Sequence, residues 1–356
     1  MTDETIRIGF VGAGDNTRVR HIPGFRRQEG VELVSVCNRS RESSQRISDE
    51  FDIPVVYDNW LDLVQADDTN AICIGTWPYT HRTMVLAALE ANKHVQVEAR
   101  LSMNAPEAYE MLAASQAKPH LITQVIPAPH TLMVDNMIRD LIADGYIGDL
   151  LSMDMRSSSP YRTKSQMLDG GFIDRSAPIE WRQDRDLSGN NIMHMGIWYE
   201  SVMRWIGHVS SVLAQTRVNV PMRPNTDGTP AFISIPDQVE ILCDTYSGAL
   251  VHIQFSDVFG LAAPSQIWFY GTEGTICLDG EKMTLTGGRK GDDKLSPIEV
   301  PPEKVKVERM EEEFINAIRG LEPITHTSFE FAVKYVEFTE AVKISAQTGQ
   351  KIHLPL

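Results

Sequence analysis

The sequence predicts an α/β protein in two parts: an N-terminal doubly wound parallel sheet and a C-terminal α/β domain with a large, mostly antiparallel open sheet. Between residues 6 and 125, short apolar runs alternate with helical stretches, which is the pattern of parallel strands joined by helices. Beyond residue 127 the β-rich runs lengthen and alternate apolar with polar residues, which is typical of an antiparallel sheet with one covered face. A length of 356 residues also favours two domains, and we expect them over residues 1–126 and 127–356.

The first strand is expected over residues 6–11, and it stops at Gly12-Ala13-Gly14. A strand that runs into Gly-x-Gly and then a helix is the start of a Rossmann dinucleotide-binding fold. Gly12 permits a tight turn, Gly14 permits close approach to a pyrophosphate, and the helix N-terminus favours the phosphates. Thr17 stands where a third glycine would be, so an ordinary strand–turn–helix is the alternative. The residues predicted to contact the cofactor here are Gly12, Gly14, Asp15, Asn16 and Thr17.

The second strand, over residues 31–37, ends where a dinucleotide fold meets the adenosine ribose. An acidic residue there would bind the 2′-hydroxyl of NAD, whereas an arginine accommodates the 2′-phosphate of NADP. The sequence has neutral Asn38 at this point, followed by Arg39 and Arg41. A guanidinium pairs with phosphate in bidentate fashion, so we expect NADP to be preferred over NAD. The alternative is that Arg39 stacks on the adenine and the site takes either cofactor.

Further parallel strands are expected over residues 54–56, 71–75, 94–98 and 120–125, with helices over 84–91 and 106–116. Ligands bind beyond the carboxyl ends of the strands in open α/β sheets. The strand over 71–75 leads to Thr76, Trp77, Pro78 and His81, and the strand over 94–98 leads to Glu98, Ala99 and Arg100. We expect these residues to line the cofactor site, although His81 is also expected to cap or pack at the helix start.

The second domain begins with a predicted helix over residues 132–144, closed by Gly145. The β-rich runs cover 150–157, 211–220, 238–246, 249–255 and 265–270, and a helix over 192–206 lies among them. Residues 287–302 are polar and turn-rich, which predicts a surface loop. Helices over 311–319 and 329–346 and a short final strand complete the prediction.

Composition excludes several classes of partner. The net charge is −15 and no basic stripe is present, so we expect no nucleic-acid partner. No apolar segment is long enough to span a bilayer, and no basic region precedes an apolar stretch at the N-terminus, so we expect a cytoplasmic protein without membrane contact. Cys37, Cys73, Cys243 and Cys277 are far apart, so we expect reduced core cysteines and no metal site.

Several stretches together resemble the glucose–fructose oxidoreductase / inositol dehydrogenase (Gfo/Idh/MocA) family. They are GFVGAGDNTRVRHIPGF, ICIGTWPYTHRTMVLAALEANKHVQVEARL, LIADGYIGDL, WFYGTEGTICLDG, EEFINAIRGLEPI and SAQTGQKIHLP, in the family's order. The resemblance implies an N-terminal Rossmann domain and a C-terminal α/β domain that carries the substrate pocket and often an oligomer interface. It implies hydride transfer at an alcohol of a sugar or cyclitol, a small-molecule substrate, and a homo-oligomer such as a dimer or tetramer.

The sequence departs from this family at two motifs. The family's Glu-Lys-Pro reads Glu98-Ala99-Arg100 here, so Ala99 stands where the lysine should be. In the family's Asp-x-Gly-x-His element, aligned on Gly196, His194 takes the aspartate position and Trp198 the histidine position. Neither Ala99 nor Trp198 can move a proton.

The remaining side chains suggest a replacement for the missing groups. A histidine ordinarily titrates near neutrality, so His194 is predicted as the general acid or base, with Arg100 carrying positive charge toward an alkoxide or a carboxylated substrate. The alternatives are a satisfied core histidine for His194 and an ion pair with Glu98 for Arg100. The residues predicted to contact the substrate are His130, Tyr161, Trp181, Arg182, His194 and Trp198.

Three functions compete on this evidence. The leading prediction is an NAD(P)-dependent oxidoreductase acting on a sugar-like or cyclic polyol substrate. The second is a cofactor-dependent enzyme on the same fold that cleaves or eliminates a glycoside. The third is a non-catalytic dinucleotide-binding protein, because both proton carriers of the family are absent. Fold alone does not decide among them.

Overall fold

A computed structural model describes residues 5–158 and 167–356 of the chain. The chain forms two compact units: one contains Met1–Pro127 and Arg309–Val336, and the other contains Ala128–Glu308 and Glu337–Leu356. This division differs from the continuous one predicted at residue 126, because a later segment returns to the first unit. Phe314 and Ile315 of that segment are buried in the core formed with Phe10 and Phe25.

The described strands are, in chain order, β1 Ile6–Val11, β2 Val31–Cys37, β3 Val55–Val56, β4 Ala71–Ile74, β5 His94–Val97, β6 Thr123–Val125, β7 Leu150–Ser157, β8 Val209–Arg217, β9 Met222–Pro224, β10 Pro230–Phe232, β11 Gln238–Thr245, β12 Leu250–Ser256, β13 Gln266–Gly271, β14 Gly274–Asp279, β15 Thr284–Arg289, β16 Ser296–Ile298 and β17 Ile352–His353. Each predicted strand is present, with ends that differ by up to three residues.

The described helices are α1 Ile22–Arg26, α2 Arg41–Phe51, α3 Trp60–Gln65, α4 Pro78–Glu90, α5 Ala105–Gln116, α6 Leu132–Ala143, α7 Arg185–Ser188, α8 Met195–Ile206, α9 Met310–Ile318 and α10 Phe329–Thr348. A turn of π-helix, Thr17–His21, leads directly into α1. Helix α4 begins six residues before the predicted start at residue 84, because Pro78 occupies its first turn, where no backbone donor is needed.

The first unit holds a six-stranded parallel sheet in the order β3-β2-β1-β4-β5-β6. Strands β2 and β3 lie on one side of β1 in the sheet, and β4, β5 and β6, which follow in the chain, lie on its other side. In a doubly wound sheet this change of direction opens a crevice at the carboxyl ends of the strands, where ligands bind. The glycine-rich turn after β1 lies at this point of the sheet.

The second unit holds a nine-stranded sheet in the order β16-β15-β14-β13-β7-β12-β11-β8-β17. Strands β7 and β12 pair in parallel, and the other neighbours pair antiparallel. Burial alternates along β11 and β12, so one face is covered and the other is open, as predicted. The two sheets confirm the predicted fold class.

The predicted surface loop over residues 287–302 is wrong in part. Strand β15 runs into this segment as far as Arg289, and β16 adds an edge strand within it. Gly287 read as a turn signal, but it lies inside β15, where a Cβ would come within 2.5 Å of Ile298 Cδ1. Glycine in a strand often marks such a close approach.

Two predictions from composition can be compared with the fold. All four cysteines are free and buried, as expected for small core residues. Over residues 5–158 and 167–356, no helix combines the length and the apolar character that a membrane crossing requires. A cytoplasmic location stays a prediction.

Candidate cofactor and substrate site

The glycine-rich turn is held open by backbone hydrogen bonds and by Asn38. Gly12 has a φ of +82°, and its N–H donates to the carbonyl of Cys37 at 2.9 Å. The N–H of Ala13 donates to Asn38 Oδ1 at 2.6 Å. Gly14 is exposed, and a Cβ there would meet no described atom within 4 Å. The turn therefore leaves room for a phosphate group, which is the fit that a dinucleotide requires.

Thr17 replaces the third glycine of the motif, and Gly75 makes the space for it. Thr17 is 1% exposed, and a Cβ on Gly75 would lie 2.0 Å from its Oγ1. A Cβ on Gly12 would in turn lie 2.4 Å from Thr76 Cγ2. The close packing that the motif normally achieves with a glycine on the helix is achieved here with a glycine after β4.

The end of β2 carries the residues that suggested NADP. Both polar atoms of the Asn38 side chain form hydrogen bonds with the backbone: Oδ1 accepts from Ala13, and Nδ2 donates to the carbonyl of Ser43 at 3.1 Å. Arg41 pairs with Asp58 at 2.8 Å. Arg39 is exposed and has no carboxylate partner among the described residues. Arg39 is therefore the arginine that a phosphate could bind without displacing a carboxylate.

Glu98 belongs to a buried ionic cluster that the sequence did not predict. Its Oε1 lies 3.0 Å from His21 Nε2, and the other ring nitrogen of His21 lies 2.5 Å from Glu311 Oε1. Burial disfavours the imidazolium, but the hydrogen bonds that it donates to Glu311 and Glu98 outweigh this effect and raise the pKa of His21 to about 9. Burial likewise opposes ionisation of Glu98, yet His21 holds the pKa of Glu98 below its usual value.

His81 is packed among backbone carbonyls, and its contact with the cofactor stays a prediction. It is completely buried: its Nε2 lies 3.0 Å from the carbonyl of Thr76, and its Nδ1 lies 3.1 Å from those of Arg100 and Leu101. Burial lowers the pKa of His81, although these carbonyls favour its protonated form. The side chain thus connects the loop after β4 to the loop after β5.

The other predicted residues of the first unit lie where the strands end. Trp77 is 37% exposed and precedes α4, in which Pro78 is buried, and Asp15 and Asn16 are exposed after the glycine turn. Arg100 is only 5% exposed. The sequence therefore located these loops correctly, but the roles of their side chains stay predictions.

In the second unit, His194 directly precedes α8 and is 2% exposed. Its Nε2 lies 3.0 Å from Ser157 Oγ, and its ring meets that of Phe255 edge-on at 5.0 Å. The N–H of Trp198 bonds to the carbonyl of His194 at 3.1 Å, so the predicted helical spacing is present. This burial supports the alternative of a core histidine, and the catalytic role of His194 stays a prediction.

His130 and Trp198 are brought together, as their shared prediction as substrate contacts requires. Their rings meet edge-on with centroids 4.4 Å apart. Burial, and after it the Arg204 guanidinium, lowers the pKa of His130 to about 4. His130 Nε2 is a buried ring nitrogen with no hydrogen-bond partner among the described residues. A neutral imidazole with an unsatisfied nitrogen is suited to a ligand hydroxyl.

Trp181 and Arg182 contact each other, with the guanidinium carbon 4.4 Å from the ring centroid. Arg182 also lines a small cavity of the second unit together with Met193, Arg223 and Asp257. Tyr161 lies outside the described residues.

Two sequence models of one family match the chain and together cover more than half of it. Residues 6–125 match the oxidoreductase family with an NAD-binding Rossmann fold, and residues 136–277 match the GFO/IDH/MocA C-terminal domain. The chain belongs to the Gfo/Idh/MocA family. The predicted resemblance is confirmed, and the glycine-rich turn of the first unit is that of an NAD-binding Rossmann fold.

Individual curated relatives match part of the chain. The α-N-acetylgalactosaminidase of Shewanella oneidensis is 28% identical over 161 residues, which cover 42% of this chain and 34% of that protein. The match thus spans about a third of the length of this curated relative.

Solved structures of the family match over nearly the whole chain. Levoglucosan dehydrogenase in complex with NADH and levoglucosan has a TM-score of 0.81 at 17% identity, covering 99% of this chain and 100% of that one. The WlbA dehydrogenase of Bordetella pertussis in complex with NADH and UDP-GlcNAcA has a TM-score of 0.77 at 19% identity, with the same coverage of both chains. At such identities the likeness shows the fold.

Proposed function

We propose that this protein is an NAD(P)-dependent oxidoreductase that transfers a hydride to or from an alcohol carbon of a sugar-like or cyclic polyol substrate. The observation that carries the proposal is the glycine-rich turn after β1, with Gly14 open at the point where the sheet reverses direction. The family membership and the sugar dehydrogenases among the similar structures support this function. When bound, the nicotinamide would supply the hydride acceptor or donor.

NADP is the proposed preference within this cofactor class. Arg39 supports it, because this exposed guanidinium follows β2 without a carboxylate partner among the described residues. Asn38 supports it as well, since no acidic side chain occupies its position to repel a 2′-phosphate. NAD is the alternative cofactor, since it has the same pyrophosphate for the turn to bind.

Two histidines are candidates for handling the substrate hydroxyl. His130 would bind the substrate hydroxyl through Nε2. It would be a poor proton donor near neutral pH, because its pKa is about 4. His194 is therefore the proposed proton carrier, with Ser157 as its hydrogen-bond partner, and Arg100 is proposed to stabilise an alkoxide. Turnover and its pH profile for His194→Ala and His130→Ala would assign these two roles.

The experiment that tests cofactor binding uses two glycine variants. Gly14→Val should leave the melting temperature unchanged, because its side chain meets open space, and should weaken NADH and NADPH binding at least tenfold by blocking the phosphates. Gly12→Val should instead unfold the turn, because of the positive φ and the contact with Thr76. Unchanged affinity in a folded Gly14→Val variant would refute the proposed site.

A glycoside-cleaving reaction is the second candidate, and the α-N-acetylgalactosaminidase relative favours it. In that case the cofactor would stay bound and show no net oxidation or reduction, while the glycoside is cleaved. Release of the aglycone from an aryl N-acetylgalactosaminide, without external cofactor, would support it over the first proposal.

A homo-oligomer is proposed through the open face of the nine-stranded sheet. Leu213 and Leu242 face each other on β8 and β11, at 37% and 55% exposure, and Leu250 of β12 is 60% exposed nearby. The stacked rings of Trp268 and Tyr270 extend the same face. His252 and Asp154 lie between these two apolar groups on the same face. Exposed leucines and aromatic rings on one open sheet face favour association with a second copy of the chain.

A further inference from the structure

His21 is completely buried in the first unit, and both of its ring nitrogens face carboxylate oxygens. Glu98 lies on one side at 3.0 Å, and Glu311 of α9 lies on the other at 2.5 Å. A neutral imidazole has one N–H, so it can donate to only one of these carboxylates. Both contacts are satisfied only by the imidazolium, which donates from both nitrogens.

Glu98, which His21 holds in place, forms hydrogen bonds with two loops of the cofactor site. Its Oε1 also accepts a hydrogen bond from Asn16 Nδ2, and its Oε2 accepts one from the N–H of Ala99 at 3.1 Å. Asn16 lies just after the glycine-rich turn, and Ala99 begins the loop after β5. A single carboxylate therefore ties together the ends of β1 and β5.

The contact of Glu311 depends on a glycine. A Cβ on Gly24 of α1 would lie 2.5 Å from Glu311 Oε2. Any larger residue at this position would push the carboxylate away from His21. The absence of a side chain at Gly24 thus leaves room for the Glu311 carboxylate beside His21.

We propose that His21 is a positioning residue of the cofactor site: as an imidazolium held between Glu98 and Glu311, it fixes the Glu98 carboxylate that orients Asn16 and the Ala99 amide. The inference rests on the proposed function, since it concerns cofactor binding. The groups that face His21 are Glu98 from the end of β5, Glu311 from α9, and neutral Asn16 from the glycine loop.

Loss of the His21 proton has a definite consequence for the cluster. With the proton, one cation faces two carboxylates. Without it, two partly buried carboxylates share a site with no cation, and their repulsion loosens Glu98. The hydrogen bonds that raise the pKa of His21 to about 9 set the pH at which this happens. Cofactor affinity should therefore be constant near neutral pH, fall as the pH rises through the His21 pKa, and level off at the lower affinity of the deprotonated form.

The test is a set of NADH titrations, followed by protein fluorescence between about pH 6 and pH 10. Wild type should show the fall in affinity with a midpoint near the His21 pKa. Glu311→Gln removes one stabilising carboxylate, so it should move the midpoint down by about one pH unit or more while Glu98 stays in place. His21→Gln should bind NADH at least fivefold more weakly at pH 7, with a flat profile. His120→Gln, at an exposed histidine of the same unit, is the matched control and should behave as wild type.

The results separate this inference from the proposed function. Wild-type NADH binding that does not change with pH, or a Glu311→Gln midpoint equal to that of wild type, would overturn the role of His21 while leaving cofactor binding intact. Absence of NADH binding to folded wild type at every pH would overturn the proposed function, and this inference with it. If His21→Gln does not fold, the midpoint of Glu311→Gln decides alone.

Discussion

The buried cluster around His21 predicts how stability changes with pH. The pKa of His21 is about 9 in the folded protein, against an ordinary value of 6.5. Each unit of pKa difference corresponds to about 1.4 kcal/mol, so protonation of His21 contributes about 3 kcal/mol to the free energy of unfolding. Because the folded pKa is raised, this contribution is fully present below pH 6.5 and disappears as the pH rises through about 9.

His21→Gln isolates this term, because all other titrating groups are common to both proteins. Urea unfolding of wild type and variant between about pH 6 and pH 10 gives the difference in unfolding free energy at each pH. The difference should be largest at pH 6 and shrink by about 3 kcal/mol toward pH 10. A difference that stays constant across this range would refute the assignment of an imidazolium to His21.

Other predictions follow from particular contacts. Arg204→Met should cost about 3–5 kcal/mol of unfolding free energy, since it removes the cation that lies 2.7 Å from both Asp135 and Glu200 and leaves these buried carboxylates without that counter-charge. Thermal unfolding measures the cost, and a loss below about 1 kcal/mol would contradict the buried network. Arg39→Ala should weaken NADPH binding by about 1–3 kcal/mol and leave NADH binding unchanged, which calorimetric titration would check; equal loss for both cofactors would remove the 2′-phosphate role. Leu242→Arg should turn the proposed oligomer into a monomer by light scattering, while Leu321→Arg, at an exposed leucine of the first unit, should not; a wild-type monomer of 39.9 kDa at micromolar concentration would refute the interface.

The local parts of the fold were predictable because local patterns encode them. Strands β1 and β2 have the predicted bounds, since each is a short run in which apolar and β-branched residues predominate, with glycine or polar residues at its ends. The turn at Gly12 was predictable for the same reason, because a positive φ at that point requires glycine.

The features that the sequence did not predict depend on contacts between residues far apart in the chain. His21 and Glu311 are 290 positions apart, so no window of sequence could pair them, although a histidine just after a glycine-rich turn was a signal worth following. The end of β15 and the whole of β16 were predicted as part of a surface loop, because their glycines and polar neighbours resemble turns. Only the pairing of β15 with β14 and β16 makes these residues strands. His194 was placed by motif alignment, which cannot show that Ser157 and Phe255 enclose it.

The most direct test of the proposed function follows the absorbance of reduced nicotinamide in wild type incubated with NADP⁺ or NAD⁺ and a panel of sugars, anhydrosugars and cyclic polyols. We expect reduced cofactor to accumulate with at least one polyol, and not in the folded Gly14→Val variant, in which the phosphate site is blocked. A wild-type protein that binds the cofactor, reduces none of it with any of these alcohols, and yet cleaves an N-acetylgalactosaminide would contradict the account.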